Sequence, residues 1–405
     1  MRRTPTALAA WALLAACTSD LAPRRDPDVP EQVRIAFGED PRTTMRVAWC
    51  VDSRPTAPRL RDPGVVVRRV DAPAATERRV DGERRFYPQE TFAPWEATLA
   101  GLAPGALYEY RVEGAHGATG WSRFRTAPAG PEPFTFVAFG DHGVSAASER
   151  LAARVAEEAP AFVLLLGDLA YANGDQRIWD AYGRMLDPFF RGTPLMAAVG
   201  NHEYETYGGV DIGTEAYRAR FALPGDEHDY VFDYAGVRFV VVDGTQALRP
   251  SHLERLDRTL AEARRDGVRR LIVAQHYPHF GSASGRGLNV PLLQAQGPLF
   301  ERHRVDLVLN GHDHFYERTF PIRGGRPSTS ERSAYRTGEG AIHVVAGGGG
   351  AKLYDFQPGS APASTCVRVK SHGYLRVAVA SDGGLEATAV DLDGATIDRF
   401  VLAPP

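Results

Sequence analysis

Phe134-Thr135-Phe136-Val137-Ala138-Phe139 is an apolar run that ends abruptly at Gly140-Asp141-His142-Gly143. An aromatic and β-branched run of this length, closed by glycine, reads as a buried strand. A carboxylate just past its end stands where open α/β sheets gather their ligands. The same grammar recurs along the chain. Phe162 to Leu166 leads into Gly167-Asp168-Leu169-Ala170-Tyr171, and Ala197 to Val199 into Gly200-Asn201-His202-Glu203. Leu271 to Ala274 leads into Gln275-His276, and Asp306 to Leu309 into Gly311-His312-Asp313-His314. Helical periodicity fills Ser148 to Glu158, Ser251 to Arg265 and Pro291 to Arg304. Strand, helix and strand in alternation predict an α/β domain with parallel strands.

Upstream of this block the pattern changes. Met45 to Trp49, Val65 to Val67, Trp95 to Leu99 and Tyr108 to Val112 are short runs separated by Pro and Gly. Period-two alternation with frequent turns predicts a β-sandwich over residues 31–127. Leu102-Ala103-Pro104-Gly105, followed by Tyr108 and Tyr110, resembles the late-strand corner of fibronectin type III domains. Ala127 to Pro133 is the linker. Further strand-like runs at Ile342 to Val345, Tyr374 to Val379, Leu385 to Val390 and Ile397 to Leu402 extend the second domain over residues 133–405.

The chain has 405 residues, enough for two or three domains. A net charge of −3 gives nucleic acid no bulk electrostatic attraction, so none is expected as a partner. Arg2 and Arg3 precede an apolar stretch, Ala7 to Ala16, that is too short to span a bilayer. Its end, Leu14-Ala15-Ala16-Cys17, resembles the lipobox of bacterial lipoproteins. That resemblance implies removal of residues 1–16, lipidation of Cys17 and a flexible tether over 17–30. The protein would then be exported and held at the membrane only by its lipid, facing the periplasm or cell exterior. An ordinary signal peptide containing a cysteine is the alternative. In an oxidising compartment Cys50 and Cys366 could pair, or they stand as two separate buried thiols.

Asp141, Asp168, Tyr171, Asn201, His276, His312 and His314 supply about the number of ligands that two metal ions with open positions require. Carboxylate, phenol and amide oxygens mixed with imidazoles suit iron, manganese or zinc rather than calcium. His312 and His314 are two apart and face one side of an extended chain. Singly, each has an ordinary explanation: Asp as a helix cap, Asn as a turn residue, Tyr as core. The joint pattern carries the reading.

These motifs, with Tyr316-Glu317-Arg318, Gly347 to Gly350 and Gly373-Tyr374-Leu375, resemble the landmarks of purple acid phosphatases, a branch of the calcineurin-like metallophosphoesterase superfamily. The resemblance spans nearly all of the chain beyond the leader. It implies an α/β protein: a fibronectin type III-like β-sandwich, then a four-layer α/β/β/α metallophosphoesterase domain. It implies that Asp141, Asp168, Tyr171 and His314 bind Fe(III), while Asp168, Asn201, His276 and His312 bind Zn, Mn or Fe(II), Asp168 being shared. In the implied reaction a metal-bound hydroxide attacks phosphorus in line. His202 would act as general acid or phosphate donor, and His279 as a second phosphate contact. Glu203, where many relatives carry Asp, is expected to hold a ligand or histidine in place from behind. The Gly347 to Gly350 run lacks the Lys-Ser/Thr ending of a P-loop and is expected to be a tight passage near the site.

The expected activity is hydrolysis of small phosphate monoesters. A phosphodiesterase or nucleotide pyrophosphatase of the same superfamily is the main alternative, and a non-catalytic, surface-anchored binding protein a further one. The expected pocket walls are Tyr204 to Tyr217, Gly281 to Asn289 and Arg323 to Arg336. The oligomeric state and the second metal's identity are open at this level.

Overall fold

The computed structural model describes residues 29–52, 62–72, 76–115 and 117–405. The expected leader, Cys17 and residues 17–28 of the expected tether lie outside the described residues.

The N-terminal domain is two four-stranded antiparallel sheets. Met45–Asp52 pairs with Glu31–Phe37 on one side and Phe92–Leu99 on the other. In the second sheet Gly64–Arg69 lies between Arg78–Asp81 and Leu107–Glu113, with Ser122–Arg125 at the edge. Leu107–Glu113 alternates strictly, burying Tyr108, Tyr110 and Val112, as a strand with one face on a core should. Glu31–Phe37 departs from that rule, because every residue from Gln32 to Phe37 is buried. Its second face is covered by the helix Gln176–Phe190 of the next domain. The Phe37 ring also reaches across to Phe162, Phe232 and Tyr234. One continuous core therefore runs through both domains.

The second domain has two seven-stranded mixed sheets. The first runs Leu195–Ala197, Phe162–Leu165, Phe134–Phe139, Gly373–Val379, Leu385–Asp391, Thr396–Leu402 and Ala334–Tyr335. The second runs Tyr230–Tyr234, Val237–Val242, Arg270–Gln275, Leu307–Asn310, Ile342–Ala346, Tyr316–Thr319 and Thr365–Val369. They pack face to face through aromatic rings: Phe239 meets Phe162 and Phe136 edge-on at 5.1 and 5.2 Å. Buried aromatic pairs of this kind add about 1 kcal/mol each beyond their area. Helices Ala146–Glu157 and Gln176–Phe190 lie on the outside of the first sheet. Pro250–Arg265 and Val290–Arg302 cover the second, where Leu256, Leu260 and Phe300 pack with Val240, Leu271 and Val308. The result is four layers, helix, sheet, sheet, helix.

Helix ends follow local chemistry. Ser145 caps Ala146–Glu157 in a reciprocal pair with Ser148, and Asn289 caps Val290–Arg302. Gln176–Phe190 was hidden in the sequence because Gly183 and Pro188 interrupt its pattern. Cys50 and Cys366 are buried free thiols, and burial raises the Cys50 thiol to about 11. Among the described residues no helix is long and apolar enough to cross a membrane.

Three strands of the first sheet, Phe134–Phe139, Phe162–Leu165 and Leu195–Ala197, run parallel. Four of the second, Val237–Val242, Arg270–Gln275, Leu307–Asn310 and Ile342–Ala346, do the same. Loops leaving the carboxyl ends of both sets carry the motif residues to one place.

Candidate metal centre

The loops that bear these side chains are bent hard. Asp141, Asp168, Tyr171 and His312 all have positive φ, at 59°, 52°, 54° and 72°. Left-handed backbone costs a non-glycine residue on the order of 1 kcal/mol or more and persists only where its surroundings over-determine it. Here main-chain bonds zip two loops together: Asp141 N–H donates to Gly167 O at 3.1 Å, His142 N–H to Asp168 O at 3.1 Å and Gly143 N–H to Leu169 O at 2.7 Å. The fully buried Glu203 carboxylate accepts the N–H groups of Asp168, Leu169 and Gly200 at 2.8, 2.8 and 2.7 Å. Glu203 thus ties the Asp168 turn to the Asn201 turn. Gly200 permits their approach, since a Cβ there would sit 2.3 Å from Asp168 Oδ1.

Two donor groups result. The Tyr171 hydroxyl donates to Asp141 Oδ1 at 3.0 Å and lies 2.9 Å from His314 Nε2, which is 3.1 Å from Asp141 Oδ1. Metal bonds of about 2.1 Å place neighbouring donors about 3 Å apart, so the three side chains have the spacing that would let them hold one metal ion together. In the second group the ligand atoms of Asp168, His276 and His312 lie within 4.8 Å of one another. Asp168 Oδ2 is 3.2 Å from His276 Nε2, which is 3.2 Å from His312 Nδ1. Asn201 Oδ1 is buried without a hydrogen-bond partner, the condition of an amide oxygen waiting for a cation. The main chain links the groups, as the His312 N–H donates to Asp141 Oδ2 at 2.7 Å.

Carbonyls behind the site set the imidazole tautomers. His276 Nδ1 donates to Leu166 O at 2.8 Å and His314 Nδ1 to Lys352 O at 2.7 Å, which leaves each Nε2 free for a metal. The Tyr354 ring stacks on His314 at 3.9 Å. His202 follows Asn201 into the cleft; its N–H donates to Asp168 Oδ1 at 2.9 Å and its Nε2 lies 3.9 Å from Asp168 Oδ2. His202 Nδ1 is 2.6 Å from Asn173 Oδ1, which fixes the ring. Asn173 escaped the sequence reading, although Asn173-Gly174 is a turn signal and both residues have positive φ.

The structure corrects the expectation for His279. Its side chain has no exposed surface and packs against Phe300 at 5.2 Å and His343 at 5.0 Å, so it cannot reach a ligand in solvent. Burial lowers His279 to about 4 and His343 well below its ordinary value. A folded-state pKa below the unfolded one leaves stability intact above about 6.5 and removes it as pH falls toward 4. His279 alone should cost about 2 kcal/mol between pH 7 and pH 5, at about 1.4 kcal/mol per unit. His279→Leu is expected to flatten that loss, read from urea midpoints at the two pH values. An unchanged pH dependence in the variant would refute the assignment.

The expected pocket walls divide. Gly281 to Asn289 lies at the site, with Arg286 Nη1 donating to His312 O at 3.0 Å. Arg323 to Arg336 instead runs to the edge of the first sheet, where Ala334–Tyr335 pairs with Thr396–Leu402. The Gly347 to Gly350 run passes beneath the Asp141 loop; a Cβ on Gly347 would lie 2.8 Å from Asp141 Oδ2.

Residues 134–316 match the calcineurin-like phosphoesterase family, and residues 30–126 the purple acid phosphatase N-terminal domain. Purple acid phosphatase 21 of Arabidopsis thaliana is 30% identical, over 72% of this chain and 67% of its own length. The chain belongs to the purple acid phosphatase family. Human acid phosphatase type 7 is 29% identical, with 93% of this chain and 91% of that protein aligned. The purple acid phosphatase from yellow lupin (Lupinus luteus) seeds shares the fold, with a TM-score of 0.82 at 23% identity over 93% of this chain and 75% of that one. Membership in the purple acid phosphatases implies a dinuclear metal centre, and the two donor groups fit one.

Proposed function

We propose that the protein is an acid phosphatase that hydrolyses small phosphate monoesters at a centre of Fe(III) and a divalent ion, Zn, Mn or Fe(II). The observation that carries the reading is the intact pair of donor groups at the carboxyl ends of two facing sheets. Asp141, Tyr171 and His314, with Asp168, form an oxygen-rich set suited to the harder, more highly charged ion. Asn201, His276 and His312, with Asp168 again, form a set of two imidazole nitrogens and two oxygens, suited to the divalent one. When bound, the pair supplies Lewis acidity at a phosphoryl oxygen and lowers the pKa of the attacking water.

The chain's own residues supply the rest. His202 is held by Asn173 on Nδ1, so its Nε2 faces the cleft, and the side chain is one-third exposed at 34%. It can deliver a proton to the leaving oxygen. A net charge of −3 supports a small substrate rather than nucleic acid.

The test is hydrolysis of p-nitrophenyl phosphate against bis-p-nitrophenyl phosphate, with the visible spectrum recorded on the same sample. A coloured protein that prefers the monoester is expected. Tyr171→Phe should abolish the visible band while kcat stays within about tenfold, that is about 1.4 kcal/mol of barrier. Preference for the diester would move the protein to the phosphodiesterase reading, and a colourless, inactive, metal-loaded protein would end the proposal.

A further inference from the structure

Arg286 is the charged side chain that overlooks the cleft from the loop 281–289. The loop is pinned rather than loose: Ser284 N–H donates to Asp355 O at 2.8 Å, Gln357 N–H to Ser282 O at 2.7 Å, and Ala283 bridges to Phe356. This places two residues side by side at the metal donors. Tyr354 stacks on the ring of His314, and the Arg286 guanidinium sits over Tyr354 at 4.9 Å. Arg286 Nη1 also holds the His312 carbonyl at 3.0 Å and lies 3.5 Å from Asp313 Oδ1. The cation therefore straddles the chain segment that presents both His312 and His314.

That placement is more than internal support needs. A guanidinium has five N–H donors. The acceptors facing it are the His312 carbonyl, Asp313 and the Tyr354 hydroxyl. Donors remain for a ligand, and the side chain is 39% exposed beside the His312 and His314 segment. The Tyr354 ring and the His312 carbonyl hold the guanidinium in place, and a held planar fork recognises carboxylate or phosphate oxygens in pairs.

We propose that Arg286 is a specificity-determining residue that selects phosphate monoesters carrying a second anionic group beside the ester. The proposal rests on the phosphatase reading above. The metals would take the scissile phosphate, and the Arg286 fork the second anion. A charge-assisted hydrogen bond of this kind is worth about tenfold in affinity.

Non-hydrolysable phosphonates test it by calorimetry on the metal-loaded protein, with metal content checked after each titration. Methylphosphonate offers a single anion, phosphonoacetate adds a carboxylate, and methylenediphosphonate adds a second phosphonate. Wild type should bind at least one of the latter two about tenfold more tightly than methylphosphonate, and the one preferred identifies the second anion. Arg286→Gln should abolish that preference, and Arg286→Lys should keep part of it. Equal weakening of all three ligands in Arg286→Gln would show that Arg286 only props the His312 segment, and no change in any would show that it does not face the ligand. Either overturns the proposal. Binding needs no turnover, so a protein that discriminates among phosphonates yet hydrolyses no monoester would overturn the phosphatase reading alone.

Discussion

Asp168→Asn is expected to lower kcat/KM for p-nitrophenyl phosphate by about a thousandfold or more and to strip metal from the purified protein. The residue serves two partners at once. Its Oδ1 accepts the His202 N–H at 2.9 Å, and its Oδ2 faces His276 Nε2 at 3.2 Å. Asparagine has one acceptor oxygen and one donor amide, so it can satisfy one partner and must oppose the other. If its oxygen turns to His202, an amide N–H would face His276 Nε2, where a metal ligand is needed; if it turns to His276, the amide and the His202 N–H would meet at Oδ1's former place. Loss of a negative ligand from a site of this kind is worth several kcal/mol of transition-state stabilisation, and each 1.4 kcal/mol is a factor of ten in rate. Elemental analysis and steady-state kinetics on the same preparation check both parts. A variant that keeps both metals and a rate near wild type would show that Asp168 is not the shared ligand.

Glu203→Gln should be nearly as damaging, though the Glu203 carboxylate bonds only to backbone N–H groups. Its Oε2 accepts from Asp168 N–H and Gly200 N–H, and its Oε1 from Leu169 N–H. All of its contacts are donors, which is the pattern of a carboxylate. A glutamine amide would set N–H against N–H at one of the oxygens, in a place with no exposed surface. Each buried donor left without an acceptor costs roughly 1–3 kcal/mol. The bonds also hold Asp168 at φ 52°, a conformation it would otherwise leave. We expect a stability loss of about 3 kcal/mol and a 10–100-fold loss of metal affinity, roughly what removal of a supporting group behind a metal ligand causes. Calorimetric unfolding with and without added metal separates the two effects. Glu203→Gln with an unchanged unfolding midpoint and unchanged metal affinity would refute the role.

These two residues differ in how visible they are in the sequence. Asp168 lies in a motif, one turn past a buried strand, and its donor type alone suggests a metal. Glu203 is visible as an acid next to His202, but its bonds reach back to residues 168 and 169, a pairing that requires both loops in place. Asn173 is a further step removed. Its identity and the following glycine announce a turn, yet nothing local says that the turn aims Oδ1 at His202.

His279 shows the opposite failure. Its spacing from His276 makes it look like a substrate contact. The chain after His276 instead dives behind the sheet, and Phe300 and His343 close over the ring. The strand Glu31–Phe37 repeats the lesson in the fold. Alternation cannot predict a strand buried on both faces when the covering helix, Gln176–Phe190, comes from another domain.

By itself the sequence determined what depends on near neighbours: the buried strands of the catalytic domain, the glycines that end them, and the seven donor side chains set just beyond. Periodicity and turn chemistry are local, so they survive in one dimension. Only the tertiary structure decided what depends on distant pairings. The bridge from Ala283 to Phe356 stations Arg286 over Tyr354 and His314, the meeting of two sheets folds the donors into two groups, and the packing behind them withdraws His279. Those contacts join residues far apart in the chain, and the free energy that selects them comes from the assembled core.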